Sequence, residues 1–300
     1  MLGLPVSVVI TTYNRSNLVG RAIGSALDQG WGELEVLVVD DASTDNTANF
    51  LKTSFPSVRY VRQEINRGLC AARNRGIREA SKPWVIFLDD DDTLEPGALG
   101  RIAKRVAEFP DAERYPLLQF ARSNAKMPAE FMIIRLEHYL TGTVLGDFAP
   151  VIRKDLFVAE GLSHLEVLRN GDGLLLWRVA NTYGIPAWSD QVQSLHTDAP
   201  SRATSADYQL RNAVDYAELQ EYTLREFGEI LTSKFPRYYE KKRLGAATYR
   251  LLAGQRRLAR AHLRIALRRR VSPIAVGLWI SSFLPVAITR RCFRAYRQHA

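Results

Sequence analysis

Trp84-Val85-Ile86-Phe87-Leu88 runs without a break into Asp89-Asp90-Asp91-Asp92. Five consecutive apolar residues read as a strand buried on both faces. Four adjacent carboxylates repel one another, so holding them at a strand end costs stability unless a positive group neutralises them. Upstream, residues 6–11 (VSVVIT) and 34–39 (LEVLVV) are two further largely apolar runs that read as strands, and residues 58–61 read as a third strand. Between them the apolar spacing turns helical. Leu18, Val19, Ala22, Ile23, Ala26 and Leu27 share one helix face, and residues 69–80 read as another helix. Ser43 and Thr44 offer caps for a short helix through Leu51, and Pro96 suits the first turn of a helix through Phe109. Strands alternating with helices predict an α/β fold with a parallel sheet covered on both faces. Such sheets bind ligands at the carboxyl ends of their strands.

Beyond this alternation, residues 117–121 and 151–153 read as strands and 173–182 as a helix. From Ala206 onward the pattern is helical almost throughout, and Pro236 with the polar run after it reads as a boundary. With 46% apolar and 24% charged residues in 300, the chain has enough apolar content for a sizeable core, and disorder is excluded. Cys70 and Cys292 give neither a disulfide framework nor a metal-ligand spacing, which fits a reducing cytosol. The start of the chain has no basic segment followed by a long apolar core, so no signal peptide is expected.

The net charge of +9 is unevenly placed. Residues 234–300 hold 17 Lys and Arg against Glu240 alone, a charge of +16, which leaves residues 1–233 at −7. A strongly basic end on an acidic body points to an anionic partner, lipid headgroups ahead of nucleic acid.

Carboxylate oxygens at the end of a buried strand suit Mg²⁺ or Mn²⁺, which commonly bridge one or two carboxylates to substrate phosphates. The bland alternative is a solvated acidic loop. A second acidic pair, Asp40-Asp41, also follows a strand, where a carboxylate can accept from a nucleobase or ribose, or simply form a turn. Gly68 precedes a helix whose free N–H groups could face an anion, with Arg67 and Arg73 nearby in sequence.

Together these pieces resemble an inverting family 2 glycosyltransferase of the glycosyltransferase A fold. The resemblance rests on residues 6–15 (VSVVITTYNR), 38–45 (VVDDASTD), Asn66-Arg67-Gly68 with Ala72-Arg73-Asn74, and Phe87-Leu88-Asp89-Asp90-Asp91-Asp92. It extends over about residues 5–200. It implies a Rossmann-like, mostly parallel sheet with flanking helices in residues 1–205 and a basic helical extension in 206–300. It also implies that Thr11 and Tyr13 line the nucleotide pocket, that Asp41 accepts from uracil or another base, and that Arg67 lies near the nucleotide. Asp89 and Asp91 then form the Asp-x-Asp element. The run of four permits two registers, so Asp90 is assigned to the nucleotide and Asp91 or Asp92 to the metal. His196 falls where relatives carry a histidine near the metal or diphosphate.

In the second half, Val151-Ile152-Arg153-Lys154-Asp155 and Glu160-Gly161-Leu162 also match the family. Its usual Glu-Asp pair appears as Gly171-Asp172, so Asp172 takes the position of the catalytic base and the Glu is missing. Asp172 equally reads as a helix N-cap, and Glu166 is the substitute base in another register. The implied reaction moves a sugar from a nucleoside diphosphate sugar, a UDP-sugar favoured, to a hydroxyl of a glycan or lipid-linked acceptor, with Mn²⁺ or Mg²⁺. That is chemistry of cell-surface polysaccharide or glycolipid assembly. The rival readings are a nucleotide-sugar pyrophosphorylase, which would need a Gly-rich loop with Lys after the first strand, and a degenerate relative that only binds glycan or nucleotide.

Residues 245–270 have helical spacing among many arginines, and residues 271–289 are uncharged but contain Pro273 and Pro285. A spanning helix needs about 20 mostly apolar residues. The segment suits an interfacial helix better, with arginines reaching anionic lipid, or else a helical cap on the catalytic domain. The expected location is cytoplasmic, peripheral at the inner face of the membrane.

Overall fold

The computed structural model describes residues 3–169, 171–199 and 205–299, without the side chains of residues 172, 298 and 299. The chain divides into two compact units, residues 1–199 and 200–300.

In the first unit the elements follow one another as β1 (Val6–Thr12), α1 (Val19–Leu27), β2 (Leu34–Asp40), α2 (Thr47–Ser54), β3 (Arg59–Arg62), α3 (Leu69–Glu79), β4 (Trp84–Asp89), β5 (Thr93–Leu94), α4 (Ala98–Glu108), β6 (Leu117–Arg122), β7 (Phe131–Ile134), α5 (Leu136–Thr141), β8 (Phe148–Arg153), α6 (Lys154–Ala159), α7 (Asp172–Thr182) and β9 (Ile185–Ser194). Among the described residues they build one nine-stranded sheet in the order β3-β2-β1-β4-β8-β6-β9-β5, with β7 on β9. The expected parallel sheet is present in β3-β2-β1-β4. Strand β8 then runs antiparallel to both β4 and β6.

The largely apolar runs are explained by burial on both faces. Val8, Ile10, Val38, Ile86 and Leu88 pack with α1 and α4 on one face. Val9, Leu37, Val39, Val85 and Phe87 pack with α3 and α7 on the other. Helix α3 approaches closely: a Cβ on Gly76 would lie 2.4 Å from Val9 Cγ1. In register, Thr11 sits opposite Val39 and Asp89, and Thr12 opposite Asp40. The carboxyl ends of β1, β2 and β4 therefore meet along one edge, as the strand-end rule requires.

Two turns at that edge hold non-glycine residues in the left-handed region, Asn14 at φ 53° and Ala42 at φ 63°. They lock together. Asn14 N donates to Ser43 Oγ at 2.9 Å, and Asn14 Oδ1 accepts from Thr44 N at 2.7 Å. Ser43 thus fixes a neighbouring turn and caps nothing, contrary to the sequence expectation. The start of α2 is served by Asp45, whose Oδ1 accepts from Thr47 N at 3.0 Å.

Among the described residues the second unit contains only helices: α8 (Ala206–Arg211), α9 (Ala213–Lys234), α10 (Pro236–Leu252), α11 (Arg256–Arg269), α12 (Pro273–Ser281) and α13 (Val286–His299). Pro236 opens α10, where its missing N–H costs nothing, and marks no unit boundary. Glu221 of α9 accepts from Arg250 of α10 at 2.8 and 2.6 Å and meets His262 of α11 at 2.9 Å, tying three helices. No helix among the described residues is long and apolar enough to cross a membrane.

Asparagine tolerates the left-handed region, whereas alanine bears about 1–2 kcal/mol there. Ala42→Gly relieves that strain against a smaller entropic loss. The variant is expected to be more stable by about 0.5–1 kcal/mol in urea denaturation; a destabilised variant would mean the turn carries no strain.

Candidate active site

The aspartate loop leaves the edge of β4 between β1 and the end of β6. Its four side chains alternate. Those of Asp89 and Asp91 are 30% and 16% exposed, while those of Asp90 and Asp92 are 6% and 3% exposed. The segment is a turn closed by Asp92 N donating to Asp89 O at 3.1 Å, and it leaves the side chains of Asp89 and Asp91 more exposed than those of Asp90 and Asp92.

The inward pair is fully engaged. Asp90 accepts from Thr12 Oγ1 and from Arg15 Nη1, both at 2.7 Å. Asp92 accepts from Arg122 and, at 2.9 Å, from the backbone N–H of His196. Burial pushes both carboxyls up to about 6, against the pull of these partners. Asp89 is enclosed as well, but Arg73 at 2.8 Å and Arg122 at 3.2 Å overcome the effect of burial and hold it at about 2. Asp91 has the loosest contact, Arg15 at 3.2 Å, and its carbonyl accepts from Arg21 at 2.5 Å.

Three arginines from separate elements therefore do the neutralising that the sequence reading assigned to a cation. Arg73 was expected near phosphate and instead grips Asp89. Arg15 and Arg122 were not singled out. Their signal was present: each sits at or just past the carboxyl end of a strand that borders the aspartate loop.

The second acidic pair is also organised from within. Asp40 is fully buried and accepts from Ser43 N at 2.8 Å and Tyr60 Oη at 2.6 Å. Asp41 accepts from Gln63 at 2.6 Å, Arg67 N at 2.8 Å and Gly68 N at 2.7 Å, and burial nevertheless raises its carboxyl above the ordinary range. Gly68, at φ 87°, packs so closely on the next segment that a Cβ would lie 2.8 Å from the Cα of Arg169.

That segment, residues 162–169, is clamped onto α3. Asn74 donates to the carbonyl of His164 at 2.9 Å and accepts from its N–H at 2.9 Å. Glu166 pairs with Arg67 at 2.7 Å and accepts from Asn74 at 3.0 Å. Gly171 stands where the family pattern has Glu, and a Cβ there would lie 2.8 Å from the buried side chain of Leu168. Asp172 opens α7, and its side chain lies outside the described residues.

Of the other expected residues, Thr11 is buried in β1 and Tyr13 is 44% exposed just past it. The ring of His196 meets Thr93 Oγ1 at 3.1 Å. Among the described residues, no three or more His, Cys, Asp and Glu side chains are grouped to hold a metal ion. The donor chemistry still fits a hard divalent cation, because Mg²⁺ needs only one or two carboxylates when substrate phosphates complete its shell. Asp91 and Asp89 are the outward-facing carboxylates able to supply them.

Comparison with known proteins agrees with this geometry. Residues 7–137 match the family model for glycosyl transferase family 2. The succinoglycan biosynthesis protein ExoO of Rhizobium meliloti is 28% identical over 91% of this chain and 86% of its own length. GalNAc(5)-diNAcBac-PP-undecaprenol β-1,3-glucosyltransferase of Campylobacter jejuni is 36% identical over 34% of this chain and 35% of its own. Among solved structures, S. aureus TarS 1-349 in complex with UDP-GlcNAc superposes with a TM-score of 0.57 at 18% identity, over 98% of this chain and 92% of that one. The Pyrobaculum calidifontis mannosyltransferase PcManGT, in complex with GDP-Man and Mn²⁺, does so with a TM-score of 0.58 at 17% identity, over 99% and 85%. Residues 7–137 thus match the glycosyl transferase family 2 model, and the chain shares the glycosyltransferase A fold of these solved structures.

Proposed function

We propose that this enzyme transfers a sugar from a nucleoside diphosphate sugar, a UDP-sugar favoured, to an acceptor hydroxyl in a single inverting step that depends on a divalent cation. The observation that carries the reading is the alternation in exposure at the end of β4, which leaves Asp89, opposite Thr11 in register, and Asp91 partly exposed while Asp90 and Asp92 anchor the loop. The nucleotide and metal roles given by sequence to Asp90 and Asp92 therefore pass to Asp89 and Asp91. When bound, the cation supplies positive charge to the departing diphosphate.

The rest of the chemistry belongs to the chain. A carboxylate offers about four acceptor sites, and three of those on Asp41 are filled by the 63–68 loop. The fourth is left for a base N–H. Tyr13 offers an exposed ring to the base, and Thr11 lines the pocket floor. Arg67 is held by Glu166, which keeps it at the mouth and excludes Glu166 from the role of base. Asp172, at the start of α7, takes the proton of the attacking hydroxyl, leaving its oxygen free to displace the diphosphate from the anomeric carbon. Leu168 fills the space beside Gly171, so the missing Glu reflects packing and does not imply lost chemistry. His196, one backbone bond from Asp92, borders the diphosphate.

ExoO takes part in succinoglycan biosynthesis and the C. jejuni relative acts on an undecaprenol-linked glycan. By analogy the acceptor is a growing polysaccharide or lipid-linked glycan, and the basic helical extension keeps the enzyme at the anionic membrane face where such acceptors reside.

Donor hydrolysis and transfer with UDP-sugars and Mn²⁺ test the assignment. Asp91→Asn is expected to lower turnover by at least about 10²-fold, and Asp172→Asn by about 10²–10⁴-fold with donor binding retained. Asp92→Asn is expected to lower thermal stability more than it lowers donor affinity. Unchanged turnover in Asp91→Asn would sink the register.

A second prediction concerns pH. Between about 4 and about 6 the folded chain holds protons on Asp90 and Asp92 that the unfolded chain has released. Their contribution to stability therefore falls as pH rises through that window. Asp89 has the opposite sign: its contribution is present above about 4 and is lost as pH falls through about 2. In EDTA, the stability of Asp90→Asn relative to the parent is expected to be greater at pH 7.5 than at pH 4.5 by about 1–3 kcal/mol. A difference that does not change with pH would contradict this.

A further inference from the structure

The exposed side of α12 is formed by Pro273, Ile274, Val276, Gly277 and Ile280, without a polar side chain among them. Ile274 is 66% exposed and Ile280 58%, and the turn that follows exposes Phe283 at 60%. Water is a poor medium for such a surface, and contiguous exposure of this kind marks a contact site.

The polar groups of the segment are turned inward. Ser272 Oγ accepts from Ala275 N at 3.2 Å. Ser281 Oγ donates to Gly277 O at 2.8 Å, and Ser282 Oγ to Trp279 O at 2.6 Å. The turn after α12 leaves helix-end carbonyls that would be costly in hydrocarbon. Two arginines of α11 take them up: Arg260 Nη2 donates to Ser282 O at 2.9 Å and Arg256 Nη2 to Leu284 O at 2.7 Å. Arg260 also lies over the Phe283 ring at 4.2 Å. The serines and prolines that weaken a spanning reading are thus parts of a pre-satisfied, rigid protrusion.

Charge brackets it. Residues 241–300 contain fifteen Lys and Arg and no acid. Exposed Arg268, Arg269 and Arg270 directly precede the apolar segment, and exposed Arg290 and Arg291 follow it. An apolar wedge flanked by cations matches a bilayer leaflet with anionic headgroups. A second copy of the chain would bring the same positive charge, and nucleic acid would leave the apolar face in water.

We propose that α12 and the turn at residues 281–285 insert into the headgroup and acyl boundary of an anionic leaflet, with the arginines of α11 and α13 contacting lipid phosphate. This deepens the membrane placement given above and rests on it. The wedge, and not charge alone, holds the enzyme there.

The test is co-sedimentation of the full chain with vesicles of phosphatidylcholine alone or mixed with phosphatidylglycerol. The parent is expected to bind the mixed vesicles. Ile274→Asn with Ile280→Asn, two exposed positions that leave packing intact, is expected to lower partitioning at least about tenfold. Arg268→Gln with Arg291→Gln is expected to lower it by a similar factor, and added salt should remove that part alone. Retained donor hydrolysis shows both variants folded. Binding that survives the isoleucine variant but not salt overturns the wedge and leaves the membrane placement standing. No binding to either vesicle overturns both. Self-association, or salt-sensitive RNA retention, that replaces vesicle binding overturns the proposal in favour of that partner.

Discussion

Four consecutive carboxylates stay folded at the edge of β4 because three guanidiniums reach them from different parts of the chain. Two unit charges about 4 Å apart interact by about 4 kcal/mol at an effective dielectric near 20, so an unbalanced cluster would rival the whole stability of the domain. Arg15 comes from the turn after β1, Arg73 from α3 and Arg122 from the end of β6. Each ion pair is therefore also a tertiary link. The same contacts decide which aspartates turn inward, so the direction of Asp89 and Asp91 depends on residues far away in sequence.

The second acidic pair works by hydrogen bonding. Asp40 binds the turn after β2 to Tyr60 of β3, and Asp41 gathers the loop that leads into α3. That loop fixes Gly68 against residue 169, and α3 in turn holds His164 and Glu166 through Asn74. A continuous set of contacts thus runs from the nucleotide side of the edge to the start of α7, where the proposed base lies. Base and nucleotide pocket are positioned by one framework.

The sheet was legible because burial on both faces leaves a signal that needs no tertiary information: VSVVIT, LEVLVV and WVIFL contain almost nothing but apolar residues. Strand β5 has only two residues, and β7, although apolar throughout (FMII), has only four, too short to stand out, and both pair with β9. Ser43 read as a cap because its local sequence permits one, but the Asn14 N–H from another turn took its oxygen. In the same way the aspartate run announced a charged site yet could not give its register. Which carboxylate faces out is set by Arg15, Arg122 and the His196 N–H, none of which is local to residues 89–92.

The incomplete charge balance of the loop also supports the proposal that nucleoside diphosphate and cation bind together. Four carboxylates against three guanidiniums leave one negative charge, and the weakest contact, Arg15 to Asp91 at 3.2 Å, is where it is least screened. A dianionic diphosphate alone would meet that negative charge and be repelled. A divalent cation alone would have at most one loosely held carboxylate to take it. Brought together they would be nearly neutral, and Arg15, paired to Asp90 at 2.7 Å and to Asp91 at 3.2 Å, borders the carboxylate proposed to meet the cation. The arginines that balance the loop thus border the proposed donor site.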